Sequence, residues 1–453
     1  MAHELTDQNH ALDGPVVSTF YRYLIPSLFG LLAMTSASLV DGIFIGNYVG
    51  VTALAAVNLI IPITTLLFGV GMMLSIGGSV RAGKYIGEGK PSQASTIFSK
   101  TLIAVAVYGV VIIVVGLLFE ELLFAGMGAD ESLFPVMSEY YRVIMPFLFA
   151  QLIVIVQYYF IRLDGFPNLA SASLAVGAVV NIGLDYLFIA VNGWGLAGAA
   201  FATGLSQILP VLVMSIYFIR PDRALLFSLQ QDNWREVFSA AYNGISEFIN
   251  EVSGGIIAFI FNWMLIQRLG VNGVAAITVV NYLLYVTYMM FYAISESSQV
   301  MISQNFGAQN PQRIRSFLLI AGLNIAILGL LSIWLLTSAS EPLISLFVDA
   351  QSSGETVALA MEFVTYVWPV FLFTGFNMLI SGYLTAIHLP FQSGVVALCH
   401  SLILPAGFLL VLYYVFEDSR FVTALPLAEG VTLVFALAFF SRHRPARAIA
   451  DSQ

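Results

Sequence analysis

Twelve apolar stretches, at roughly 17–46, 52–81, 95–119, 134–161, 167–191, 195–219, 237–268, 273–303, 313–339, 357–386, 391–416 and 421–441, constrain this chain more than any other feature. An α-helix needs about 20 consecutive apolar residues to cross the hydrocarbon core of a bilayer. Most of the stretches exceed that length, which predicts tilted helices or ends that project beyond the membrane. Charged residues make up 9% of the 453 residues, against about a quarter in soluble domains. A water-facing surface cannot be covered with so few. The expected fold is all-α and integral to a membrane, with twelve transmembrane helices and little chain left for a soluble domain.

Several function classes fall away. A net charge of -9 argues against nucleic acid, because phosphate binding needs clustered Lys and Arg. The single cysteine, Cys399, cannot close an intramolecular disulfide. The first eighteen residues are polar and acidic and lack the basic and apolar regions of a cleavable signal, so the first apolar stretch is expected to stay as a helix. The segment GEGKPS at 87–92 has the outline of a phosphate-binding loop, but Lys84 stands where G-x-x-x-x-G-K requires Gly. Pro91 fills its Ser/Thr position. No cofactor is expected, no nucleophile or metal constellation marks an enzyme, and energy must come from an ion gradient or a partner protein.

The loops sort by charge. Arg81, Lys84, Lys90, Lys100, Arg162, Arg220, Arg223, Arg235, Arg313, Arg315, Arg442, Arg444 and Arg447 fall on one side of a twelve-span layout. Glu120, Glu121, Asp130, Glu131, Glu341, Asp349 and Glu355 fall on the other. The positive-inside rule then places both termini in the cytoplasm of a bacterial-type inner membrane.

The chain also repeats itself. At an offset of 220, Gly50-Val51 matches Gly270-Val271, Gly87 meets Gly307 and Pro91 meets Pro311. At an offset of 223, Glu139, Pro146 and Pro167 match Glu362, Pro369 and Pro390. The expected organisation is an N-terminal six-helix lobe (1–219), a cytoplasmic linker (220–236) and a C-terminal six-helix lobe with a basic tail (237–453). Six spans per half give both halves the same orientation, a parallel repeat suited to alternating access around a central cavity. An internally duplicated chain is expected to work as a monomer.

Polar groups inside the spans need a reason, since an acid at a helix centre costs about 2.5–3.5 kcal/mol on insertion scales. Asp41 lies deep in the first span, or near its outer end, with Asn47 and Gly50 soon after. Asn181 and Asp185 share one helical face, as do Ala199 and Thr203. Gly198, Ala199, Ala200, Ala202 and Gly204 permit close helix approach, and packing alone would explain them. Two carboxylates, an amide and a hydroxyl offer hard oxygen ligands to Na⁺. Two carboxylates close together also resist joint ionisation, so the same set can take a proton. Glu247, Asn250, Glu251, Gly254, Ala258 and Asn262 form a stripe on the seventh span, and Tyr292, Glu296, Gln299 and Ser303 another on the eighth. Such acids would attract a hydrophobic cation, although Glu247 can also be read as a solvated residue at the cytoplasmic end. Met34, Gln157, Glu251, Tyr292, Glu296 and Gln299 are the candidates for lining a substrate cavity. His388 and His400 are too isolated to suggest a metal site, and Pro26 can kink the first span.

GxxALAAVN at 50–58, GEGKPSQA after the second span and SQNFGAQNPQR at 303–313, in this order within two six-helix halves, resemble the multidrug and toxic compound extrusion (MATE) family. VDGIFIG (40–46) with NIGLD (181–185) is most similar to its DinF/MepA-type branch. The resemblance implies a cation-coupled exporter of amphipathic, cationic, aromatic compounds. It implies an ion site at Asp41, Asn181, Asp185, Ala199 and Thr203, with bending at Pro26. Glu296 departs from the small or polar residue expected there. The alternative on the same architecture is a flippase of a lipid-linked precursor, which would need a cationic cavity for pyrophosphate.

Overall fold

The computed structural model describes residues 10–229, 234–345 and 354–452. Residues 1–9 of the polar N-terminus, 230–233 of the linker and Asp349 lie outside the described residues. The described residues are almost entirely helical and divide into two compact units, Met1–Gly244 and Ile245–Gln453.

In the first unit, α1 (Val16–Phe44) runs on through a π-turn, Ile45–Val49, into α2 (Val51–Gly87). There follow α3 (Pro91–Leu118), α4 (Phe134–Leu163), α5 (Pro167–Asp185, extended by the π-turn Tyr186–Val191) and α6 (Gly195–Ser215). In the second unit, one helical run, Ile245–Gly307, is 63 residues long. At about 1.5 Å per residue that is roughly three bilayer cores, too long for one crossing. Gly270 breaks it, with φ 64° and ψ -159°, into α7 (245–269) and α8 (271–307). Then come α9 (Pro311–Ser338), α10 (Gly354–Val367 through Trp368–Leu372 to Thr374–Ala386), α11 (Pro390–Leu398, π-turn Cys399–Ile403, Leu404–Val415) and α12 (Ala424–Arg442). Among the described residues, eleven helices are long and apolar enough to span a membrane. The break at Gly270 makes twelve crossings of them.

The lipid-facing surface is legible in α3, where Val107, Val110, Val111, Val114, Val115 and Leu118 are exposed. A water-soluble protein does not carry so continuous an apolar stripe.

The repeat has a local geometric signature. Gly89, Gly165, Gln309 and His388 have φ of 71°, 91°, 56° and 61°. Each stands two residues before the proline that opens the next helix: Pro91, Pro167, Pro311 and Pro390. In each turn the next amide reaches back five residues: Lys90 N to Tyr85 O, Phe166 N to Ile161 O, Asn310 N to Asn305 O and Leu389 N to Leu384 O, at 2.8, 3.1, 2.9 and 2.9 Å. This left-handed cap satisfies helix-terminal carbonyls, and proline then fits the first helical turn, where no amide hydrogen is needed. The repeat-related acids Glu139 and Glu362 also act alike. Glu139 Oε1 accepts the Ala197 amide at 3.2 Å at the start of α6, and Glu362 Oε1 accepts the Ser419 hydroxyl just before α12.

Two expectations need correction. The seventh stretch was read from 237, but Arg235–Asn243 is a separate short helix. It crosses α2 backbone to backbone: a Cβ on Gly77 would lie 1.9 Å from the Ala240 carbonyl oxygen, and one on Gly244 2.1 Å from that of Met73. Two glycines at one crossing tie this helix to the first unit. The charge pattern read as loop cations also differs. Lys100 lies inside α3, buried, with Nζ 5.5 Å from the Trp234 ring centroid. Arg162 is fully buried in the last turn of α4, stacked 4.7 Å from the Tyr158 ring.

Candidate functional site

Local packing in the first unit brings α1, α5 and α6 together. Gly30 lets α1 approach α5, since a Cβ there would sit 3.2 Å from Ser171. Gly177 does the same for α5 and α6, with Pro210 at 2.6 Å from its built Cβ. Pro26 lies within α1, which runs unbroken across it. Proline has no amide to give the carbonyl of Arg22 one turn earlier. The Ser27 hydroxyl beside it bonds the Tyr23 carbonyl at 2.7 Å.

A cavity of about 70 Å³ opens where these helices meet. Met34, Asp41, Asn181 and Thr203 line it, with Ser38, Ser206 and Gln207 among the remaining polar groups. A water needs about 10–15 Å³ of such space. The cavity therefore holds a few waters or a partly hydrated ion, and is far smaller than the roughly 300–1,000 Å³ of drug-sized pockets.

Thr203 Oγ1 lies 3.5 Å from Asp41 Oδ2. Asp185 is fully buried at the end of α5 and interacts directly with the Asp41 carboxyl. Asp41 Oδ1, both carboxyl oxygens of Asp185 and Asn181 Nδ2 are buried with no hydrogen-bond donor or acceptor satisfying them. Buried polar atoms are nearly always paired, and two facing carboxyls need either a shared proton or a cation. Ala199 is fully buried and packs rather than lining the cavity.

Tyr140 is the residue the sequence reading missed. It is buried on α4 beside Thr203 and interacts electrostatically with Asp41 and Asp185. Its only sequence signal is a polar tip within an aromatic pair, Tyr140-Tyr141, which is common in membrane helices.

The substrate candidates separate. Met34 borders the cavity with Asp41. Gln157 does not; it is buried on α4 with Nε2 3.4 Å from Ser215 Oγ. In the second unit, Gln299 Nε2 donates to Glu247 Oε1 at 3.2 Å. Glu296 and Glu251 also act on Glu247. Glu247 and Glu296 are buried, so the solvated reading of Glu247 fails; Glu251 and Tyr292 are half-buried. Among the described residues, no group of three or more His, Cys, Asp or Glu is placed to hold a metal ion.

Comparisons with known proteins agree with this architecture. The MatE family matches residues 26–187 and 250–408. An "FAD transporter" of Shewanella oneidensis is 25% identical over 439 residues, 94% of each chain. "Probable multidrug resistance protein YoeA" of Bacillus subtilis is 25% identical over 92% of each, and "Multidrug export protein MepA" of Staphylococcus aureus 21% over 82% of each. An outward-facing multidrug resistance MATE family transporter of the MOP superfamily superposes with a TM-score of 0.90 at 23% identity, over 98% of this chain and 99% of that one. A MOP superfamily transporter from Pyrococcus furiosus superposes at 0.87 with 22% identity, over 97% of this chain and 98% of that one. The match spans most of both halves of the chain, and the fold is that of solved MATE transporters: this polytopic membrane protein belongs to the MatE family and is a transporter, not an enzyme.

Proposed function

We propose that the chain is an antiporter that exports amphipathic, mostly cationic and aromatic organic compounds in exchange for H⁺ or Na⁺, by alternating access. The observation that carries this reading is the interacting Asp41–Asp185 pair, in which Asp41 Oδ1 and both Asp185 oxygens are buried without donors, beside a cavity of about 70 Å³ that Asp41 lines. A proton shared between the carboxyls would satisfy it. So would a cation held by Asp41, Asp185, the Asn181 amide oxygen and Thr203. Hard-cation oxygen distances of about 2.3–2.6 Å at roughly right angles put neighbouring ligand oxygens about 3.3–3.7 Å apart, which suits the 3.5 Å between Thr203 Oγ1 and Asp41 Oδ2. Both ions fit the donor set.

In this mechanism an incoming ion takes up one negative charge of the aspartate pair, and α1 bends at Pro26 as their repulsion is relieved. Bending changes the lining at Met34, and bound substrate leaves. Release of the ion on the other side restores the negative charge that attracts a new cation. Gln157, Glu251, Tyr292, Glu296 and Gln299 are assigned to the substrate path. The protein works as a monomer in a bacterial-type inner membrane, with both termini cytoplasmic.

The likeness to an FAD transporter supports a second reading, export of a flavin dinucleotide. Its pyrophosphate is anionic and calls for Lys or Arg, whereas the candidate path carries Glu251 and Glu296. Acidic lining favours cations. The test is transport by proteoliposomes under an imposed pH gradient and, separately, a Na⁺ gradient, with ethidium and with FAD as substrates. Ethidium movement under either gradient supports the reading and names the ion. Movement of FAD alone would replace it.

A further inference from the structure

A second buried polar cluster lies in the second unit, built from residues given no role above. His400 stands in the π-turn of α11, and its Nδ1 is 2.9 Å from each carboxylate oxygen of Glu429 on α12. The Glu429 side chain is 9% exposed and that of His400 14%. Asn377 on α10, fully buried, donates through Nδ2 to Glu429 Oε2 at 2.7 Å and to the Glu429 carbonyl at 2.9 Å. Asn377 Oδ1 is buried and accepts no hydrogen.

Glu429 is the charged group that acts on His400, and it also acts on Tyr288 of α8. Cys399 neighbours His400 in sequence. Among the described residues, no Lys or Arg is among the groups acting on His400. A buried carboxylate next to a neutral imidazole would carry an uncompensated charge, which is costly in low dielectric. One proton, held between Nδ1 and the carboxylate, makes the pair neutral overall.

The setting suits exchange rather than static packing. A π-turn widens the helix by one residue, leaves local carbonyls less well bonded, and often occurs at functional sites. Asn377 also holds the carboxylate, through Oε2, so proton loss need not swing Glu429 away. From these contacts we propose that His400 and Glu429 form a proton-binding site in the second unit, separate from the aspartates of the first, whose proton is released and rebound during the transport cycle. The proton passes from the imidazolium–carboxylate pair to water, leaving neutral His400 and ionised Glu429. An organic cation taken into the same unit would offset the charge left behind. The site does not depend on Asp41 or Asp185 being the coupling groups.

The test uses the full chain in lipid nanodiscs with ¹⁵N-labelled histidine, followed from about pH 5 to 9. The His400 signal is assigned by its loss in His400→Gln. The expected result is a His400 titration whose midpoint moves by at least about tenfold in proton concentration in Glu429→Gln and stays in place in Asp41→Asn. Ethidium addition should also release fewer protons per chain from Glu429→Gln than from the unaltered protein. An unchanged midpoint in Glu429→Gln, or a neutral His400 across the whole range, would overturn the proposal. If Glu429→Gln does not fold, the infrared carboxyl band of Glu429 in His400→Gln answers the same question. A midpoint matching that of the unaltered protein would overturn the site; a tenfold displacement would support it.

Discussion

Thr203 Oγ1 on α6 lies 3.5 Å from Asp41 Oδ2 on α1, across 162 residues of chain. That contact, the outer limit of a hydrogen bond, is the point at which the first and sixth helices share chemistry. It leaves the other carboxylate oxygen, Asp41 Oδ1, buried without a donor.

Removing that hydroxyl should weaken the site without abolishing it. A hydrogen bond or ligand contact to a charged group is worth about 1.5–3 kcal/mol. Thr203→Val should therefore raise the coupling-ion concentration needed for half-maximal ethidium efflux by roughly tenfold or more, and Thr203→Ser should restore it. Tyr140→Phe, which removes the buried hydroxyl beside Thr203, should give a smaller shift in the same direction.

The crossing of α2 with the Arg235–Asn243 helix is set by backbone contact at Gly77, whose built Cβ lies 1.9 Å from the Ala240 oxygen. Gly77→Ala should destabilise by about 1–3 kcal/mol, the usual range for overpacking. A lowered thermal midpoint in detergent checks this. Gly126→Ala, where a Cβ meets nothing within 4 Å, serves as the control and should leave the midpoint in place.

Asp164 lies just beyond α4 and accepts hydrogen bonds from the Tyr217 hydroxyl at 2.6 Å and the Ala224 and Leu225 amides at 2.8 and 3.4 Å. Burial pushes its carboxyl up to about 6, against the lowering effect of those donors. The folded protein therefore binds this proton more tightly than the unfolded chain does. The resulting stability is present below the ordinary carboxylate range, is lost as pH rises to about 6, and is level above that. Its size is no more than about 2–3 kcal/mol. Thermal midpoints between pH 4 and 7 should show that slope, and Asp164→Asn should flatten it.

The four left-handed turns make an asymmetric prediction. Gly89 has φ 71° and Gln309, its repeat counterpart, φ 56°. A non-glycine residue there is strained by roughly 1–2 kcal/mol, so Gly89→Ala should lower the thermal midpoint. Gln309→Gly should raise it by the equivalent of about 0.5–1 kcal/mol, after loss of the Gln309 Nε2 contacts to Phe306 O and Ser452 Oγ.

The sequence made the spans, the repeat and the N-terminal acids readable because each leaves a local mark. Apolar length defines a crossing, matched glycines and prolines define the duplication, and Asn181 and Asp185 share a face by spacing alone. Contacts between distant helices leave no such mark. Tyr140 looks like any aromatic residue until α4 brings it to Thr203. His400 looks isolated because its partner, Glu429, is 29 residues away on another helix. The boundary at Gly244 was missed for the same reason: the residues from 237 onward read as apolar span, and only the glycine crossing with α2 assigns them to the first unit.

The most direct test compares two modes of ethidium transport in proteoliposomes for the unaltered chain, Asp41→Asn and Asp185→Asn. One mode is uphill movement driven by an imposed H⁺ or Na⁺ gradient; the other is exchange of labelled for unlabelled ethidium with no gradient. Coupling through the paired aspartates predicts that both variants lose uphill transport and keep exchange. Uphill transport undiminished in both variants would contradict the account.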